Sequence, residues 1–493
     1  MYTGGTLARR SCARCREDRS VRIIVVGGGT AGLGTALACA RDGHEVTVLE
    51  RDDTPMPTDA NAAFEWVRAG APQVRHSHAF LARLRNLLRR RAPDVLDALL
   101  DAGASEIAFT EHLPPTLTDR LPRPGDDELV ALACRRTTFE WVLQRLVLDE
   151  PGVELSHGVA AGALVARSGG IPLVVGVDGS RADLVVDARG PRSSSDAWLS
   201  AIAAPPVREE LHESGIVYYS RFYRVRAGVE APPYVGPTAA DLGYLKYAIF
   251  LGDNRTFSIT YAIESHDEEM RRALAVPDAF ETVARSLVAT APWRVDGVAD
   301  PITGVHVMAG LRNRYRPLVD GEGEPLVHGF VAVGDAAVCT NPLYGRGCSL
   351  AFVHAFGLAD ALHENAGDLD GLGRAFAEFT ERELVPWFRS AVLQDAQARA
   401  RHEELPPEDP RAFMQAVFRE GLLPAMRTSP VVFRAFLRWF NLLATPDALM
   451  ADAEIVGEVL AAYEDRDNRP GAPVLGPDRE TLLLDLACRP RAQ

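Results

Sequence analysis

Residues 21–52 read VRIIVVGGGTAGLGTALACARDGHEVTVLERD. The run Ile23-Ile24-Val25-Val26 is apolar and β-branched, the pattern of a strand buried on both faces of a parallel sheet. It stops at Gly27-x-Gly29-x-x-Gly32, and an Ala-rich helical stretch follows. A second β-branched run, Glu45 to Leu49, ends on Glu50, with seventeen residues between Gly32 and Glu50. Each part has a task in holding a dinucleotide. Gly27 allows the tight turn, Gly29 lets a pyrophosphate approach the backbone, and Gly32 lets helix and strand pack closely. The free N–H groups of the helix start, Thr30-Ala31-Gly32, and the helix dipole favour the phosphate charge. Glu50, with Arg51 beside it, is placed to accept from a ribose diol. A lone GxGxxG is weak, but strand, glycines, helix, strand and terminal acid in register are specific. They leave open whether the nucleotide is FAD or NAD(P).

The chain has 493 residues, room for two or three domains. Apolar residues make up 47% and charged residues 24%, ordinary for a globular protein. The net charge of −14 argues against a nucleic-acid partner, whose phosphates need neutralising. The seven cysteines (Cys12, Cys15, Cys39, Cys134, Cys339, Cys348 and Cys488) are scattered and odd in number, so a reducing, cytoplasmic setting is expected. Cys12 and Cys15 form a CxxC with no second pair at zinc-ligand spacing, so no metal site is expected. Residues 1–20 carry five arginines without an apolar core and read as a disordered tail rather than a signal peptide. No apolar run reaches the roughly 18 residues of a transmembrane helix.

Beyond the opening unit, residues 53–62 read as a loop and Phe80 to Leu100 is helical by periodicity. The acidic, Pro-rich stretch within 105–130 reads as an excursion, and Arg136 to Leu148 as a helix. Leu184-Val185-Val186-Asp187 is another buried strand ending on an acid. From about Val207 to Ile302 aromatic and β-branched residues alternate, at Ile216–Tyr223, Tyr247–Phe250 and Thr256–Ile263. These predict a largely antiparallel sheet. Phe330 to Gly334 returns to the buried-strand pattern, and a long helix starts near Gly347. The remainder is mostly helical, with breaks near 405–410 and 469–477.

A second glycine-rich element follows the strand ending at Gly334-Asp335: Asn341-Pro342-Leu343-Tyr344-Gly345-Arg346-Gly347-Cys348-Ser349 opens a helix. It offers a second cradle of backbone amides. Asp335 can hold a ribityl hydroxyl, and the helix start beyond Gly347 can face the negative edge of a reduced flavin. The paired glycine elements, the central Asp187-Ala188-Arg189-Gly190 and the segment Cys134 to Glu140 resemble the group A flavoprotein monooxygenases, the FAD-dependent aromatic hydroxylase and epoxidase superfamily. Ala71-Pro72-Gln73-Val74-Arg75-His76-Ser77-His78 resembles a segment of actinobacterial polyether-type epoxidases and related natural-product flavoenzymes. Arg346 and Cys348 depart from what such relatives often carry.

The resemblance implies an aromatic-hydroxylase-like α/β fold. A Rossmann-like FAD-binding domain (21–204 and 303–371) carries an inserted, mostly antiparallel β-sheet substrate domain (205–302), followed by a C-terminal helical region (372–493). It implies FAD bound by Gly27, Gly29, Thr30, Ala31, Gly32, Glu50, Arg51, Arg75, Arg136, Asp187, Gly334, Asp335, Pro342, Gly345, Gly347 and Cys348. It also implies NAD(P)H as reductant, O2 adding at flavin C4a, and delivery of an oxygen atom to an apolar substrate, free or carrier-bound. Arg75, His78 and Tyr344 are the expected catalytic residues, with His76 orienting flavin or substrate. Tyr218, Tyr219 and Arg221 are the expected substrate contacts. Two rivals stand beside this reading: an FAD-dependent dehydrogenase or reductase of the geranylgeranyl-reductase type, and a flavin-binding scaffold without turnover. The apolar stretch 430–450 is either a helix packed on the FAD domain or a weak contact for a membrane or carrier.

Overall fold

In the computed structural model, the described residues are 20–400, 406, 409–469, 471 and 473–487. The Cys12–Cys15 pair, Cys488 and the tail up to residue 19 lie outside them.

The opening unit forms the centre of a five-stranded parallel sheet. Its strand order is Phe330–Ala332, Leu184–Asp187, Arg22–Val26, Glu45–Glu50, Val153–His157. Val26 lies opposite both Leu49 and Asp187, and Ala332 lies opposite Asp187. Three strands therefore end along one edge, where ligands of open α/β sheets bind. The β-branched run explains the layering. Ile23 and Val25 pack under the helices Thr30–Arg41, Arg136–Asp149 and Gly347–Glu364. Ile24 and Val26 pack on the other face against Leu164, Val174 and Val177 of a small three-stranded antiparallel sheet, and against Trp198.

A second sheet, antiparallel throughout, has the order Ala239–Asp241, Lys246–Leu251, Thr256–Glu264, Ile216–Val225, Ala299–Pro301. His306–Met308 also pairs with Ile216–Val225, so this sheet runs past residue 302. Alternation along its strands separates two faces. Val217, Tyr219, Tyr223, Phe257, Ile259 and Tyr261 pack against the helices Glu268–Leu274 and Pro277–Ser286 and against Leu482 of the helix Arg479–Ala487. Those three helices interrupt what the sequence presents as sheet and tail. They are needed because an aromatic sheet face must be buried against a second layer. Tyr218, Ser220, Phe222, Ser258 and Thr260 lie on the opposite face, toward the parallel-sheet unit.

The excursion near 105–130 is ordered. Ser105–Ala108 pairs with Val130–Ala133, and Asp126 and Glu128 hold Arg434 and Arg438 of the helix Pro430–Phe440. That helix buries Val432, Ala435 and Leu437. No helix of the described residues is long and apolar enough to cross a membrane.

The two sheets are fastened by a buried ion pair. Asp253 accepts from Arg135 N, Nε and Nη2 and from Thr138 Oγ1, at 2.6–3.1 Å. Both side chains are essentially inaccessible. Removing one partner leaves a charge buried without compensation, at a cost of about 3–5 kcal/mol. Asp253→Ala is therefore expected to lower unfolding stability by that amount in denaturant titrations, while Asp300→Ala, at an exposed pair with Arg226, stays within about 1 kcal/mol.

Candidate functional site

The first cradle follows from its glycines. Gly27 takes φ +110°, and a Cβ there would meet the Ala188 carbonyl oxygen at 2.7 Å. A Cβ on Gly32 would lie 1.8 Å from the Gly27 carbonyl oxygen, so helix and strand can pack only without it. A Cβ on Gly29 would meet nothing within 4 Å: the backbone there faces open space. The helix Thr30–Arg41 has no side-chain cap, which leaves its first N–H groups for an anion. Glu50 Oε2 accepts from Gly28 N at 2.7 Å and Oε1 from Asp52 N at 2.9 Å.

The second cradle lies against the first. Gly334 has φ +58°, and a Cβ there would sit 2.8 Å from Ala31 Cβ. Its N–H donates to His354 Nδ1 at 3.1 Å. Asp335 stands at the strand end, 4.0 Å from where a Gly347 Cβ would be. Burial pushes its carboxyl up, while Arg136 and Arg314 pull it down. Gly345 is left-handed at φ +65°, and the helix Gly347–Glu364 again has no side-chain cap.

Arg136 joins the two cradles. Its Nε donates to Glu140 Oε1 at 2.7 Å, and its Nη1 to Cys348 Sγ at 3.0 Å. Thr30 Oγ1 donates to the same Glu140 oxygen at 3.1 Å. Burial acts to raise the Glu140 carboxyl, but Arg136 and Arg68 hold it below the usual range. Burial raises the Cys348 thiol, so it stays protonated at neutral pH.

Beyond Arg136 lies a small cleft between the two sheets, lined among others by His76, His78, Phe222, Phe250 and Ser258. A hydroxyl ladder crosses its wall. Ser77 Oγ bonds Ser258 Oγ and Thr260 Oγ1, Thr260 Oγ1 bonds Ser220 Oγ, and His76 Nδ1 lies 3.2 Å from Ser220 Oγ. His78 Nδ1 is 2.9 Å from the His76 carbonyl, so Nδ1 carries the proton and Nε2 is an acceptor. Burial, with Arg136 adding to it, lowers the His78 pKa to about 3. A ring that resists protonation this strongly suits hydrogen-bond acceptance better than general-base work. Tyr218 OH donates to Asn341 Oδ1 at 3.1 Å, and Asn341 Nδ2 to Asp395 at 2.8 Å. The glycine loop is thereby tied to the second sheet.

Gly27, Gly29, Thr30, Ala31, Gly32, Glu50, Arg136, Gly334, Asp335, Gly345, Gly347 and Cys348 thus form one continuous region, with Pro342 and Tyr344 on its loop. Five other expected residues stand apart. Arg51 is exposed. Arg75 donates to the Phe64 and Glu65 carbonyls and braces its own loop. Asp187 is spent on Arg189 and Ser193, holding the turn after its strand. Tyr219 bonds the Arg271 carbonyl and Arg221 bonds Glu281, both on the helix-covered face of their strand. Alternation puts Tyr218 on the face toward the glycine loop and its neighbour on the other. Sequence reasoning passed over Arg68. Its side chain is 4% exposed, donates to the Gly28 carbonyl at 3.0 Å and approaches Glu50, Asp52 and Glu140 within 3.7 Å. The signal was a lone arginine in the apolar stretch Phe64–Ala71.

A family model described as FAD dependent oxidoreductase matches residues 22–136. The chain is an FAD-dependent oxidoreductase. Protein Rv3254 of Mycobacterium tuberculosis is 28% identical over 89% of this chain and 93% of its own length. Aklavinone 12-hydroxylase of Streptomyces peucetius is 27% identical over 72% of this chain and 71% of its own. Among solved structures, p-nitrophenol 4-monooxygenase of Pseudomonas putida shares the fold, with a TM-score of 0.55 at 16% identity over 86% of this chain and 98% of that one. The residues of this flavoenzyme fit FAD: two uncapped helix starts, open space at Gly29, and an acid at each end of the region.

Two predictions follow from this geometry. Asp335→Ala is expected to purify largely without FAD, read from the flavin-to-protein absorbance ratio, and Glu50→Ala to retain more of it. The second concerns acid. Burial lowers the pKa of His76 to about 4 and of His78 and His354 to about 3. Unfolded, each titrates near 6.5. Between these limits the unfolded chain binds more protons, so their stabilisation is complete above pH 6.5 and is lost as pH falls toward 4 and then 3. Melting temperature should be level above about pH 7 and fall below 6.5, with a shallower fall in His354→Gln.

Proposed function

We propose that this FAD-dependent oxidoreductase is a monooxygenase that uses NAD(P)H and O2 to hydroxylate or epoxidise an apolar natural-product intermediate. One observation carries the reading. The line of buried polar groups from Thr30 through Glu140 reaches Arg136, which lines a cleft shared with His76, His78, Phe222 and Phe250. The nucleotide end and the cleft lie at opposite ends of one site, as oxygen transfer to a separate apolar molecule requires. The similarity to aklavinone 12-hydroxylase supports a role in secondary metabolism.

Bound FAD supplies the redox chemistry, taking hydride from NAD(P)H and activating O2. The chain supplies position and polarity. The N–H groups at Thr30–Gly32 would hold the pyrophosphate, Glu50 the ribose, and Asp335 and Arg136 the ribityl chain. The uncapped helix start at Gly347 would offer partial positive charge to the electron-rich edge of a reduced flavin. His78 lines the cleft beside Arg136 as a neutral acceptor, and Tyr218 holds the glycine loop through Asn341. Phe222 and Phe250 beside the cleft would help keep water from the reacting ring.

The test is turnover with a panel of polycyclic aromatic and polyene natural products under 18O2. The expected result is NADH or NADPH oxidation coupled to O2 uptake, with one 18O atom in the product. Product formed without O2 would overturn the reading in favour of a dehydrogenase or reductase. A flavin that no NAD(P)H and substrate pair bleaches would favour a scaffold.

A further inference from the structure

Arg346 is the residue before the second cradle helix, and its side chain extends toward the C-terminal helices. It is 1% exposed. None of its three guanidinium nitrogens has a hydrogen-bond partner among the described residues. Three rings surround it instead: its central carbon lies 4.7 Å from the Tyr344 centroid, 5.1 Å from Trp387 and 5.5 Å from Trp439. Burial lowers its pKa only to about 10, so at neutral pH it is a buried cation with five unused N–H groups.

Cation–π attraction to three rings accounts for the charge but satisfies none of these donors. Every other fully buried arginine of the site region has a partner: Arg135 holds Asp253, and Arg136 holds Glu140. The rings differ in access. Trp387 is fully buried, whereas Tyr344 and Trp439 are only partly covered and meet edge-to-face at 6.4 Å. The box is closed at its base by Trp387 and bounded outward by a loop residue and a residue of the helix Pro430–Phe440.

We propose that Arg346, Tyr344, Trp387 and Trp439 form a binding site for the carboxylate of a flat apolar molecule. The planar guanidinium matches a carboxylate in bidentate fashion, and the rings offer faces on which a conjugated body packs. Tyr344 and Arg346 belong to the glycine loop itself, so the ligand would sit beside the second cradle. Calling that ligand the substrate rests on the monooxygenase reading; the carboxylate site itself does not.

The test is calorimetric titration of the FAD-loaded enzyme with 2-naphthoate and, separately, with neutral 2-naphthalenemethanol. The wild-type enzyme is expected to bind the acid at least tenfold more tightly than the alcohol. Arg346→Gln should abolish that preference, and Arg346→Lys, which keeps the charge but loses the fork, should retain part of it. Equal affinity of the wild type for acid and alcohol overturns the proposal, and this arm needs no variant. Unchanged naphthoate binding in Arg346→Gln also overturns it, because the acid then binds elsewhere. Failure of the monooxygenase reading would show as absent NAD(P)H-dependent O2 uptake, which these titrations do not measure.

Discussion

The buried pair of Arg136 and Glu140 sits where four elements meet. Glu140 is one helical turn beyond Arg136, so the helix Arg136–Asp149 itself presets their contact. From there Arg136 reaches Cys348 at the second cradle, while Glu140 takes Thr30 at the first and faces Arg68 from the intervening loop. A carboxylate with no exposed surface needs its cations, and each cation needs the carboxylate. The two cradles are therefore held at a fixed separation by groups that cannot move apart singly. That separation is what a long cofactor with a phosphate in its middle requires.

The second sheet is subordinate to this arrangement but shapes its outlet. Its two faces have opposite chemistry. One is an aromatic core closed by helices, and the other is a row of hydroxyls and aromatic side chains looking across at Arg136. The Arg135–Asp253 pair fastens that sheet one residue before Arg136, and the Tyr218–Asn341–Asp395 chain fastens it to the glycine loop. The cleft is pinned from both sides.

Much of this was legible in the residues. The glycines, the strand-ending Glu50 and Asp335, and the helix start at Gly347 are local signals, because backbone geometry and a helix dipole act within a few residues. What escaped was set by distance. Alternation at 216–225 announces two faces but not which one meets the flavin unit, since both carry aromatics; Tyr218 and Tyr219 part company for that reason. Asp187 reads like Asp335, a buried acid ending a strand, until the turn behind it supplies Arg189 and Ser193. Arg75 and Arg68 lie in one loop, and only the path of that loop decides which of them turns inward.

Gly334 touches Ala31 through the space a side chain would fill, and the two are roughly 300 residues apart in the chain. The halves of the cofactor site thus belong to opposite ends of the synthesis of this protein. As the ribosome works, the first cradle emerges early and must wait, with its apolar helix face uncovered, until the whole antiparallel sheet has been made. The helix Gly347–Glu364 then covers it. Cofactor capture is accordingly a late event in the life of each chain, and a chain truncated before that helix would carry a well-formed dinucleotide motif with nothing to close over it.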